Sequence, residues 1–208
     1  MTVSITPCWR KLRRLFEQMA MAMLVAMVLP GQASAAVDIE QMRVERQEQA
    51  LMLNTVLRLE LGPAVEEALL KGVAVHFVAE AELMRDRWYW YDRKVAHVTR
   101  HYRLAYQPLT RQWRLQVSSE PLSAALAGIS IAQTFETLSD ALDVVRRQSG
   151  WRLADAAEVD GQARQYVVYR FRLDVSQLPR PFQITAGSQT SWNLSAGRTQ
   201  RLTPEAGL

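Results

Sequence analysis

His97 and His101 stand four residues apart, a spacing that on an α-helix would put two imidazoles on one face and let them share a metal ion. The residues around them alternate with a period of two, so the segment reads as a β-strand. Four residues of strand span about 13 Å, too far for two ligands that each sit about 2 Å from one zinc. If the chain turns back around Tyr89-Trp90, His76 comes to lie diagonally near His101, and Glu82 comes to lie opposite His97. The face holding His76, Glu80, Glu82, His97 and His101 could then bind a metal weakly or respond to pH. A solvated ladder of opposite charges is the simpler expectation for an outer sheet face. No convergent ligand set is legible, so neither a metal nor a cofactor is expected.

Other chemistry has no carrier in the sequence. There is no Gly-x-Ser-x-Gly elbow, no glycine loop to cradle phosphate and no His-Glu-x-x-His. Catalysis is therefore not expected.

Residues 85–117, "RDRWYWYDRKVAHVTRHYRLAYQPLTRQWRLQV", interleave arginines with Trp and Tyr, a pattern used to grip nucleic acid. Two observations speak against that partner. The first is the start of the chain. Arg10, Lys11, Arg13 and Arg14 precede an uncharged, mostly apolar run from Met19 to Leu29, and Ala33-Ser34-Ala35 follows. That order is a secretory signal, with cleavage expected between Ala35 and Ala36. The apolar run is shorter than the about 20 residues of a membrane span, so an uncut inner-membrane anchor is the alternative. The second is charge. The signal carries four of the 25 basic residues and one of the 21 acidic ones, so the mature chain holds 21 basic and 20 acidic residues, a net charge of +1. No nucleic-acid partner is expected of it. It keeps no cysteine, because the one cysteine is Cys8. A periplasmic or secreted location follows, with membrane contact only through the signal before cleavage.

Trp88, Tyr89, Trp90 and Tyr91 cannot all be buried by alternation. Either they fold back as a lid over the sheet end, which is favoured, or they stand exposed between Arg87 and Arg93 and contact a partner protein, a glycan or a lipid surface.

The elements that must position these residues are mostly strands. Residues 36–49 are polar and read as a flexible start or an edge strand. Leu51, Leu53, Thr55, Leu57, Leu59 and Leu61 share one face of a half-buried strand, with Asn54, Arg58 and Glu60 on the other. "PAVEEALLKG" is a short helix opened by Pro63 and stopped by Gly72. Val75, Phe77, Ala79, Ala81 and Leu83 point inward from the next strand. Ala96, Val98, Tyr102 and Leu104 point inward from the one after, and Trp113, Leu115 and Val117 from a third, giving an antiparallel meander with arginines on its outer face. "TLSDALDVVRRQSG" is a second helix, capped by Thr137 or Ser139 and ended by Gly150. "WRLA" is a short strand, and Gln165 to Val175 is a longer one. Pro179 and Pro181 make "SQLPRPFQ" a stiff extended connector that carries Phe182 into the core, or else a polyproline ligand. "SWNLS" adds a last short strand. The chain should thus be one domain over 50–197, followed by a polar tail over 198–208. Its class is α+β, mainly antiparallel β with two short helices, or a β-sandwich with helical insertions.

The blocks "RDRWYWYDRKVA", "YRLAYQPLTRQWRL", "TLSDALDVV", "GWRLA", "LDVSQLPRPFQ" and "WNLS" occur in this order. In them the chain resembles an uncharacterised exported family of Gram-negative bacteria, domain of unknown function 4390, over about Glu45 to Gln200. The resemblance implies an exported protein, in some members described as proline-rich, whose genes often lie beside one for a membrane sensor kinase. It brings no catalytic residues. A non-enzymatic envelope protein that binds a partner, such as the outer portion of a sensor kinase, is the expectation. A periplasmic carrier of a small molecule or lipid is the alternative.

Overall fold

The computed structural model describes residues 36–47, 49–87, 91–120, 130–159, 163–188 and 190–202. They form an α+β fold dominated by antiparallel strands, in two sheets that share one core. β1 (Ala36–Gln47), β2 (Ala50–Glu60) and β7 (Arg147–Asp155) make a three-stranded sheet in the order β1-β2-β7. β3 (Val75–Arg85), β4 (Arg93–Gln107), β5 (Gln112–Ser118), β6 (Ser130–Phe135), β8 (Gln165–Leu173) and β9 (Ser195–Arg201) make a six-stranded sheet in the order β6-β5-β4-β3-β8-β9.

The alternation in β2 dictates its burial. Leu51, Leu53, Thr55, Leu57, Leu59 and Leu61 are all buried, and Arg58 and Glu60 are exposed. Burying one such leucine contributes about 1.5–3 kcal/mol. The opposing wall is Phe77, Ala79, Ala81 and Leu83 of β3 with Val167, Tyr169 and Phe171 of β8, all buried. Phe77 and Phe171 stack across that wall with ring centres 5.7 Å apart. The two sheets therefore close on each other by interleaving inward side chains.

Helix α1 (Pro63–Leu70) starts at proline, where the missing N–H is one that the first turn leaves unbonded anyway, and it buries Val65, Ala68 and Leu69. It ends at Lys71, and Gly72 follows at φ 82°. In α2 (Leu138–Arg146) the Thr137 hydroxyl accepts from the Asp140 backbone N–H at 3.2 Å, and Ala141, Leu142 and Val145 are buried. The Arg146 guanidinium donates to the Leu59 carbonyl and to Asp143, tying the helix end to β2.

Several expectations are corrected. For residues 36–49 the edge-strand alternative is the one the structure has, as β1. Gly150 does not end α2. The helix stops at Arg146 and Gly150 lies inside β7 at φ 61°, in a bulge where Leu53 pairs Trp151 and Thr55 pairs Gln148. Its N–H donates to Asn54 Oδ1 at 2.8 Å. The strand expected to reach Val175 stops at Leu173, and a 3-10 turn takes Val175–Gln177. A third helix, α3 (Arg180–Ser188), stands where an extended connector was expected. Phe182 and Gln183 both donate their N–H to the Pro179 carbonyl, so Pro181 falls in the first turn, where a proline is tolerated. Leu178 is extended and buried, as its place before a proline suggests. β9 runs to Arg201, past the boundary expected at 197.

Candidate functional site

The outer face of the six-stranded sheet is built by register. Within β3–β4, His76 pairs Arg103, Val78 pairs His101, Glu80 pairs Thr99 and Glu82 pairs His97. On the other side of β3, Glu80 pairs Arg170 and Val78 pairs Arg172. The expected placements hold: Glu82 lies opposite His97, and His76 is diagonal to His101.

Charge pairs lace this face. Glu82 is 9% exposed and bonds both Lys94 and Arg170, which lie on opposite neighbouring strands. Lys94, first by its hydrogen bond, holds the Glu82 carboxyl below the usual range against the opposing effect of burial. Glu80 meets Arg172 at 3.2 Å, and Arg172 also approaches Asp174 at 3.8 Å. The basic partners Lys94, Arg170 and Arg172 are each about half exposed, so water screens these pairs and each adds at most about 1 kcal/mol.

At the far end of the face, His76, His101, Asp174 and Gln177 line a cleft of about 130 Å³. His76 Nε2 is buried without a hydrogen-bond partner. Burial, then Arg103, lowers the His76 pKa from its ordinary value, and burial also lowers that of His101. Burial thus favours the neutral form of both imidazoles. The Asp174 carboxylate is held by the Ser176 N–H and hydroxyl, while its own N–H donates to the His76 carbonyl. Among the described residues, no three histidine or carboxylate side chains converge to hold a metal ion.

At the near end lies the β3–β4 tip. The paired residues stop at Arg85 and Arg93. Arg87 and Arg93 are exposed, and Tyr91 is 95% exposed. For Tyr91 the expectation of a lid is corrected: it stands beyond the last paired residues and is almost fully exposed. Trp88, Tyr89 and Trp90 lie outside the described residues, as does Ala35; Ala36 is the exposed first residue of β1. The base of the tip is braced. The Tyr166 hydroxyl donates to Asp92, which also accepts from the Arg87 N–H, and the Asp86 N–H donates to the Arg164 carbonyl.

Sequence reasoning missed Arg100. Placed on neither face by the sequence pattern, it shares the parity of Val98 and Tyr102 and so belongs to the inner face. Its guanidinium lies 4.8 Å from the ring centre of Trp151 on β7. Parity alone was the signal. Phe182 is also displaced from its expected place. It is only half-buried and lines a cleft of about 280 Å³ between α1 and α3, with Ala68, Pro181 and Trp192.

The fold and its faces define an antiparallel α+β domain with a charge-laced outer sheet and a braced, exposed hairpin tip. The chain belongs to the family Domain of unknown function (DUF4390), whose model matches residues 34–202. No curated protein and no solved structure matches it. No helix of the described residues is long and apolar enough to cross a membrane.

Proposed function

We propose that this chain is an exported, non-enzymatic envelope module that binds a partner protein through the tip of the β3–β4 hairpin. The observation that carries the reading is Tyr91. Tyr91 is 95% exposed and stands between exposed Arg87 and Arg93 on a base held by the Tyr166–Asp92 hydrogen bond, so an aromatic and two guanidinium groups are presented together on a fixed support. Tyrosine and arginine are the residue types that anchor protein interfaces. The interleaved core supports a module over a carrier, and the two clefts described, about 130 and 280 Å³, fall short of the ~300–1,000 Å³ common for small-molecule sites. The outer portion of a membrane sensor kinase is the partner that the family's gene neighbourhood favours.

Site-specific photo-cross-linking tests this. A photoreactive residue at Tyr91 should give an envelope-protein adduct. One at Leu109, fully exposed on the β4–β5 turn, should not. No adduct at Tyr91, or equal adducts at both, overturns the reading.

A further inference from the structure

Between the two sheets lies a polar cluster that the outer face does not involve. Tyr102 and Thr55 are each 2% exposed, and neither hydroxyl makes a well-formed hydrogen bond, although Arg100 lies beside the Tyr102 hydroxyl and Thr55 beside that of Tyr169. Tyr169 differs. Its hydroxyl donates to Gln148 Oε1 at 3.1 Å, and Gln148 Nε2 donates to the Val145 carbonyl at 3.2 Å, so the Gln148 amide is already engaged at both ends. Trp151 meets Tyr169 edge-on at 6.3 Å and carries Arg100 over its ring face.

Arg100 lies close enough to Tyr102 and Tyr169 for its charge to oppose the upward shifts that burial gives both phenols, Tyr102 to about 12. No carboxylate of the described residues pairs with it. A guanidinium over a ring face keeps its in-plane N–H groups available. The cluster thus holds a cation and two hydroxyls without a well-formed hydrogen bond, and its one amide oxygen is taken. It is rich in donors and poor in acceptors. Buried polar groups in native proteins are rarely left so.

The inner face opens beside it. Tyr102 pairs Val117, and Val117 pairs Ile131. Val98 and Val117 are half-buried, and Ile131 is 60% exposed. Arg100 therefore stands where a buried polar cluster meets an accessible apolar strip.

We propose that Arg100 and Tyr102 bind the carboxylate of an amphiphilic ligand whose apolar part lies along Val117 and Ile131. One guanidinium fork matches the two oxygens of one carboxylate, and one positive charge balances one negative charge. A phosphate dianion would bring a second charge with no partner into a region of low dielectric. The apolar strip selects an alkyl chain over a bare anion such as acetate. This goes beyond the hairpin-tip reading: the ligand would lie on an accessible strip at the edge of the inner face, not in an enclosed carrier cavity, and the cross-linking test at Tyr91 does not decide it.

Titration of the purified protein with sodium octanoate, followed by tryptophan fluorescence and calorimetry, tests the site. Octanoate should bind saturably, and 1-octanol and acetate at least tenfold more weakly. Arg100→Met should weaken octanoate at least tenfold, and Tyr102→Phe several-fold. If Arg100→Met fails to fold, Tyr102→Phe carries the test, because it removes a single oxygen that makes no well-formed hydrogen bond in the protein. Absence of saturable octanoate binding, equal binding of octanol, or unchanged affinity in Tyr102→Phe overturns the proposal.

Discussion

Two tyrosines in one core layer offer a controlled comparison, because one hydroxyl is bonded and the other is not. Tyr169→Phe removes the hydroxyl that donates to Gln148 Oε1. Gln148 is 2% exposed, and its other amide end is fixed on Val145, so the oxygen cannot turn towards water. A buried acceptor left alone costs about 1–3 kcal/mol. Tyr102→Phe removes a hydroxyl that is equally buried but makes no well-formed hydrogen bond, and its neighbour Arg100 keeps the Trp151 ring face. No partner is orphaned there, so the change should fall within about 0.5 kcal/mol of neutral, or stabilise slightly. Urea melts of the two variants and the parent measure both. With an m-value of about 2 kcal/mol/M, a loss of about 2 kcal/mol moves the midpoint by about 1 M, while the Tyr102 variant should stay close to the parent. If Tyr102→Phe loses as much as Tyr169→Phe, hydrogen-bond satisfaction is not what separates the two, and the reasoning about the cluster fails.

Two further outcomes are expected. Gly150→Ala should cost about 1–2 kcal/mol in the same melts; nothing lies within 4 Å of an added Cβ, so the whole cost is that of holding alanine at φ 61°. Stability should fall as pH drops through the ordinary histidine value of 6.5 towards the lower values that His76 and His101 have in the folded state, because the unfolded chain then takes up more protons. Above that window the contribution is fully present. Arg103, Arg172, Asp174 and Glu80 are the charged groups facing the pair, and His76→Gln should flatten the profile measured by thermal melts from pH 7.5 to 5.

The sequence made the interior strands legible and the exceptions hard to see, for physical reasons. In β2 and β3 one face is buried along the whole strand, so period-two alternation is complete, and the positions of His76, His101, Glu82 and His97 followed from the hairpin register. β6 escaped notice because residues 131–134 are all exposed, and an edge strand without a buried face has no alternation to show. α3 escaped because Pro179 and Pro181 exclude a central strand and also suit a helix start; the second property won through the carbonyl of Pro179. Arg100 escaped because charge in an alternating strand is normally read as outward. Here Trp151 on the opposing sheet supplies an aromatic face that makes an inward cation tolerable.

The order of the strands has a consequence for how the chain is made. Leu53 of β2 meets Trp151 of β7, and Ala79 of β3 meets Phe171 of β8. The central strand of each sheet thus waits for a neighbour encoded far downstream. During synthesis β1–β2 and β3–β4 can close early as local hairpins, but each then presents a long, apolar, unpaired edge until the last third of the chain arrives. Such edges invite pairing with other molecules. A chain crossing a membrane as an unfolded thread, amino end first, would emerge with both edges open, and its yield would depend on a holdase that shields them until β7 and β8 are delivered.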